Sequence, residues 1–134
     1  LGQNETNKTV INLAVIYDTD VYDWSPDIID ATVSFINEGM WDVLPSNSTH
    51  RVEYHLENSK CDPTTAVRAW WKLRTANGGK PLDGLIGARC SGASISLATI
   101  SGLEHVPHLS PVSDSAALSN DEEFPFFSRL LAPG

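Results

Sequence analysis

Val10-Ile11-Asn12-Leu13-Ala14-Val15-Ile16-Tyr17 is a β-branched, mostly apolar run. Such a run reads as a strand buried on both faces, which suits a parallel sheet. The polar and aromatic stretch 18–24 reads as a loop. Ser25-Pro26 then supplies a helix cap with proline at the first helical position. Ile28, Ile29, Thr32, Val33 and Ile36 recur at helical spacing, and Gly39 ends that helix. Across 50–56 the period changes: Val52, Tyr54 and Leu56 alternate with Arg51, Glu53 and His55, which predicts a second strand with one wetter face.

Asp62-Pro63 opens a second helix, with Ala66, Trp70, Leu73 and Asn77 on one face and Gly78-Gly79 at its end. Gly84-Leu85-Ile86-Gly87 is a third, short buried strand. Ser91-Gly92 begins a helix of small residues that carries Ile95, Leu97, Ile100 and Leu103. Pro107-His108-Leu109-Ser110 is a fourth strand, 119–123 a short capped turn of helix, and 126–131 a fifth strand. Strands and helices thus alternate at a spacing that predicts a doubly wound α/β fold: a mostly parallel five-stranded sheet with helices on both faces. Sheets of this kind bind ligands outside the carboxyl ends of their strands, at a topological switch point. The loops 17–24, 89–93 and 111–115 meet there.

With 134 residues the chain is long enough for one domain with its own core. Its 41% hydrophobic and 19% charged content is ordinary for a globular protein. The formal net charge of -8 opposes a nucleic-acid surface, which needs clustered Lys and Arg. No apolar stretch approaches the roughly 18 to 20 residues needed to span a bilayer. The chain begins at Leu1 without a signal-peptide pattern, and its end reads as an interrupted strand, so a processed piece of a longer protein is expected. Residues 1–9 read as a flexible tail. Asn4, Asn7 and Asn47 each open a glycosylation acceptor triplet, which leans toward a secreted chain. Cys61 and Cys90 each fall at a predicted strand end, open to a disulfide in an extracellular chain or to life as free buried thiols.

Three motifs follow one another in order: Asn58-Ser59-Lys60-Cys61-Asp62-Pro63, then Gly87-Ala88-Arg89-Cys90-Ser91, then Ala117-Leu118-Ser119-Asn120 with Phe124-Pro125-Phe126-Phe127-Ser128-Arg129. Together they resemble the receptor ligand-binding region with the type I periplasmic-binding-protein fold, closest to GABA-B-type class C G-protein-coupled receptors. The resemblance implies that 10–134 is the first lobe of a two-lobed extracellular domain on the outer side of the plasma membrane. It implies a small amino-acid-like ligand, no cofactor and no turnover. It also implies a Cys61–Cys90 disulfide, with Ser91 and Gly92 on the ligand carboxylate, Ser113 and Asp114 on its carboxylate and ammonium, and Trp24 as an aromatic wall. First lobes of the family pair through the helix that begins at Asp62. Here that implies a homo- or heterodimer through Val67 and Trp71, the second lobe as a partner, and a G protein reached only through a membrane region outside this sequence. Ala88-Arg89 in place of proline-glycine, the inserted Ser128, and Asp114 in place of Ser or Thr depart from the pattern.

Plainer roles stand beside these. Ser91 can be a simple cap, Asp114 an Asx turn, and Trp24 a packing residue. Trp70 and Trp71 are adjacent, so they point to different faces, Trp70 to the core and Trp71 alongside Val67 and Arg74. Two alternatives share the fold: the ligand-binding domain of a single-span receptor of guanylate cyclase type, and a soluble amino-acid-binding protein. The enzyme alternative is a haloacid-dehalogenase-like phosphatase using Asp18-Thr19-Asp20-Val21, although no acidic metal pair follows a later strand. The four histidines lack metal spacing apart from His105 and His108, and structural roles are expected for them.

Overall fold

A computed structural model describes residues 7–21, 25–45 and 47–134. Strands β1 (Thr9–Tyr17), β2 (His50–Asn58), β3 (Gly84–Gly87), β4 (His108–Ser110) and β5 (Phe127–Arg129) form one sheet, every neighbouring pair parallel, in the order β2-β1-β3-β4-β5. Helices α1 (Ser25–Asn37), α2 (Pro63–Ala76) and α3 (Ser91–Glu104) connect the first four strands. The first connection steps outward from β1 to β2, and the second steps back across β1 to β3. Right-handed crossovers therefore place α1 on one face and α2 with α3 on the other.

The packing follows that rule. Ala14, Ile16 and Leu85 of the sheet bury with Ala66, Ala69, Trp70 and Leu73 of α2 and with Ala93 and Leu97 of α3. On the opposite face α1 packs on β2. There the Asn37 amide accepts from the Val52 N–H at 2.7 Å and donates to the Val52 carbonyl at 2.8 Å, replacing a ladder partner at the sheet edge. A smaller cluster of Ala98, Leu118 and Phe124, backed by Ile95 and Phe127, seats β5.

Local chemistry sets the element ends. The Asp62 carboxylate accepts from the Thr65 N–H at 2.7 Å and the Thr65 hydroxyl at 2.8 Å, which caps α2. These bonds hold the Asp62 carboxyl below its usual range. Gly78 and Gly79 carry the left-handed backbone that ends this helix. Arg129 ties β5 to the preceding loop by donating to the Ser115 carbonyl at 2.7 Å and to the Ser119 hydroxyl.

Several boundaries depart from the sequence pattern. Strand β1 begins at Thr9, inside the expected tail, because the Thr9 N–H donates to the Thr49 carbonyl at 2.8 Å. Strand β2 continues past 56 to Asn58, since β1 supplies a parallel partner that far. In α3 the buried stripe is Ala93, Ser94, Leu97, Ala98 and Ser101, and Leu103 is 78% exposed. Small residues let this helix lie close to its neighbours, which turns Leu103 outward. The short helical turn lies at Ala116–Ser119 rather than 119–123, because the Ser115 side chain caps it. Strand β5 stops at Arg129, and Leu130 and Leu131 are exposed.

His108 sits inside the sheet layer, 2% exposed, with Nε2 bonded to the Gly87 carbonyl and its ring edge-on to Phe127. Burial pushes its pKa down from 6.5 to about 4. The unfolded chain therefore binds a proton between those values that the folded chain refuses. The folding contribution is complete above pH 6.5 and is lost as pH falls through 4, a span of about 3 kcal/mol. Urea midpoints at pH 7 and pH 4.5 should differ by less in His108→Asn than in the parent. An unchanged difference would show that His108 carries none of it.

Candidate functional site

The strand order reverses between β1 and β3, the kind of switch point where doubly wound sheets place a ligand crevice beyond the carboxyl ends of their strands. At Gly87 the backbone turns with φ 125°, and a Cβ there would lie 1.8 Å from the Ile16 carbonyl oxygen. Only glycine permits this approach of β3 to β1. Beyond the turn, Arg89 swings back over β1 and its Nη2 meets the buried Asp18 carboxylate at 3.0 Å. The Asn58 side-chain oxygen accepts from the Thr19 N–H at 3.3 Å and the Lys60 N–H at 2.8 Å, joining two crevice loops.

Cys61 and Cys90 are joined in a disulfide with Cα atoms 5.3 Å apart, linking the starts of α2 and α3. The bond closes a loop with a sequence separation of 29. In the chain-entropy account this stabilises the fold by about 3 to 4 kcal/mol. Reduction should lower the unfolding free energy from urea denaturation by that amount, and an unchanged free energy would contradict it.

Beneath the crevice lies a polar base that the pattern of apolar positions did not reveal. Ser94, Ser110 and Ser113 are all fully buried. Their hydroxyls converge on the Ala88 carbonyl at 3.0, 2.7 and 3.0 Å, and the Ala88 N–H donates to Ser94 Oγ at 3.1 Å. Ser94 Oγ and Ser113 Oγ are 2.5 Å apart. Each hydroxyl both donates and accepts, so the network satisfies itself without water. The visible clue was a serine inside the buried stripe of α3.

The rim holds the residues with exposed chemistry. Ser91 Oγ donates to Asp114 Oδ1 at 3.3 Å and accepts the Ser115 N–H at 3.2 Å. Gly92 is exposed beside it. The cap position of α3 is Cys90, not Ser91, and it makes no side-chain cap hydrogen bond. The structure therefore gathers Ser91, Gly92 and Asp114 with Arg89 and Asp18. Ser113 belongs instead to the buried base, where its hydroxyl is taken up by Ser94 and the Ala88 and Arg89 carbonyls. Trp24 lies outside the described residues, as does Asn4.

Other expected residues lie away from the crevice. Val67 is half-buried on α2, while Trp71 is 46% exposed with the Arg74 guanidinium 5.2 Å over its ring. Asn7 and Asn47 are exposed in turns. An open hollow of about 370 Å³, lined by Leu13, Gly84, Ile86, Pro107, Leu109 and Phe126, sits toward the amino ends of β3 to β5. Asp18, the nucleophile of the phosphatase reading, is ion-paired with Arg89. Among the described residues, the metal-sized cluster is Asp18 with Cys61 and Cys90, whose sulfurs are bonded to each other. No helix among them is long and apolar enough to cross a membrane.

Comparison with solved structures finds the same fold in a solute-binding protein of an ABC transporter from Rhodopseudomonas palustris BisB5, solved in complex with 3,4-dihydroxybenzoic acid. The TM-score is 0.67 at 15% identity, over 90% of this chain and 31% of that one. This chain thus spans about a third of that protein's length. A search of curated proteins gives no match. The family model described as the receptor family ligand binding region matches residues 44–133, from the approach to β2 through β5. The chain belongs to the receptor family ligand binding region.

Proposed function

We propose that this chain is the first lobe of an extracellular receptor domain that binds a small amino-acid-like ligand without turning it over. The observation that carries the reading is the group of Arg89, Ser91, Gly92 and Asp114 at the switch-point crevice. Arg89 and the uncapped start of α3 offer positive potential to a carboxylate. Asp114, exposed on the facing loop, offers a counter-charge to an ammonium. Ser91 already donates to Asp114 and Arg89 already pairs with Asp18, so in this proposal Ser91 orients the aspartate, Arg89 adds its charge from that pair, and the backbone N–H groups at the start of α3 take the larger share of the carboxylate. The ordered motifs from Asn58 to Arg129 support a class C receptor of GABA-B type as the host protein. A second reading, a soluble solute-binding protein of a transporter, draws support from the structural neighbour, itself such a protein with a small aromatic acid bound.

A thermal-shift panel tests the reading. Free zwitterionic amino acids should raise the melting temperature, and their N-acetyl and methyl-ester derivatives should not. At a hundredfold excess over Kd the gain is about 2.7 kcal/mol. Asp114→Asn should remove the response to the ammonium and leave the unliganded protein as stable as the parent. A panel in which no zwitterion shifts the melting temperature contradicts the proposal.

The exposed face of α2 suits pairing of first lobes. Trp71 contributes roughly 2 kcal/mol or more if it becomes a buried anchor, and a closed two-fold pair is the commonest arrangement. Trp71→Ala should weaken dimerisation in sedimentation without unfolding the chain. A dimer that survives the change places the interface elsewhere.

A further inference from the structure

We propose that Asn47 carries an N-linked glycan that covers an apolar patch at the end of the sheet opposite the ligand crevice. The proposal rests on the extracellular half of the reading above and not on ligand binding.

Topology fixes where the acceptor lies. The register pairs Thr9 with His50 at one end of β1 and β2, and Tyr17 with Asn58 at the other. Asn47-Ser48-Thr49 immediately precedes β2, so it lies at the amino edge. The crevice lies at the carboxyl edge. A strand of nine residues separates the two, roughly 30 Å. A bulky sugar at Asn47 therefore leaves the crevice clear.

Asn47 is exposed in a turn closed by the Ser48 N–H donating to the Pro45 carbonyl at 2.8 Å, and Thr49 is exposed with it. The Asn47 triplet thus holds its acceptor exposed in the turn, with the exposed Thr49 hydroxyl bonded to His50 Nδ1 at 3.0 Å.

The same edge holds the patch. The connection from α1 to β2 contains Met40, Trp41 and Val43, which are 45%, 61% and 58% exposed. The Trp41 ring stands edge-on to Phe35 at 5.4 Å, itself partly exposed. Exposed apolar side chains gathered on one connection and against Phe35 point to a covered site. The sugar is the occupant because its attachment point lies within a few residues on the same connection, and sugar rings present C–H faces that suit an exposed indole.

In the transfer step the Asn47 amide nitrogen bonds to the anomeric carbon of an oligosaccharide carried on a lipid pyrophosphate. The bond from that carbon to the phosphate oxygen breaks, the lipid pyrophosphate leaves, and the amide proton passes to solvent.

The test is secretion of the chain from a eukaryotic host behind a cleavable leader. Digestion with a glycan-removing amidase in heavy-oxygen water should convert Asn47 to a labelled aspartate. Asn47→Gln and Thr49→Ala should both lose that labelled peptide. Unmodified Asn47 in the secreted parent overturns the site. Acrylamide quenching of Trp41, read as the difference between the parent and Trp41→Phe, should rise after the sugar is removed. Equal quenching before and after overturns the covering role. Neither readout depends on a ligand in the crevice.

Discussion

Replacing Gly87 with alanine is expected to destabilise the domain by at least about 4 kcal/mol, near the limit for a single substitution. The φ of 125° already excludes ordinary side chains. The decisive fact is space: the new Cβ would lie 1.8 Å from the Ile16 oxygen and 2.8 Å from the Ile16 carbonyl carbon. Both are backbone atoms, held by the register that pairs Ile16 with Gly87. Relief requires β3 to move off β1, and that pulls the Ala88 carbonyl out of the serine base. Gly79 provides the comparison, because its φ is 75° with nothing within 4 Å of an added Cβ. Gly79→Ala should cost only about 1 to 2 kcal/mol, the left-handed penalty alone. Urea denaturation of both variants settles the matter. A Gly87→Ala protein as stable as Gly79→Ala would mean the crevice floor is built differently.

Trp70→Ala should cost about 3 to 5 kcal/mol through the cavity it leaves. Trp70 is fully buried in the main core between α2 and the sheet. Its indole N–H also donates to Glu104 Oε2 at 3.0 Å, while Glu104 Oε1 holds Arg74 Nε at 2.6 Å. The loss therefore includes one arm of a partly buried carboxylate's bonding. Against a total stability of 5 to 15 kcal/mol typical of native proteins, this leaves little margin. Trp70→Phe keeps most of the volume and drops only the hydrogen bond, so it should fall well short of the alanine variant. Equal losses in the two would assign the effect to the Glu104 bond rather than to packing. Trp71→Ala, one residue along, should leave the monomer's unfolding free energy within about 1 kcal/mol of the parent.

The elements of this fold were legible because their periods are strong. The unbroken apolar run of β1, the alternation in β2 and the Ala66-Trp70-Leu73 stripe each point to one structure. Asp62-Pro63 and Gly78-Gly79 mark the ends of α2 by chemistry that acts locally. What failed was set by distant partners. Strand β2 outruns its apolar pattern because β1 offers hydrogen bonds to Asn58. Leu103 points outward because mostly small residues, with Leu97 among them, face the core from α3. Around the switch point, the alternation of strands and helices put the loops 89–93 and 111–115 after β3 and β4, where they lie. Spacing in the sequence could not show that Arg89 would pair with Asp18, 71 residues away. Nor could it separate the buried Ser113 from the exposed Asp114 beside it. Hydroxyls enter buried networks or face solvent according to neighbours that only the fold brings together.

In our proposal the carboxyl edge of β1, β3 and β4 is a ligand surface. The most direct measurement is a map of backbone amide shifts in isotope-labelled chain during titration with free amino acids. Changes confined to residues 18–21, 88–93 and 112–115 are the predicted result, and they should diminish in Arg89→Gln. Shifts that cluster around the hollow at Leu13, Pro107 and Phe126, or none at millimolar ligand, would rule out this surface.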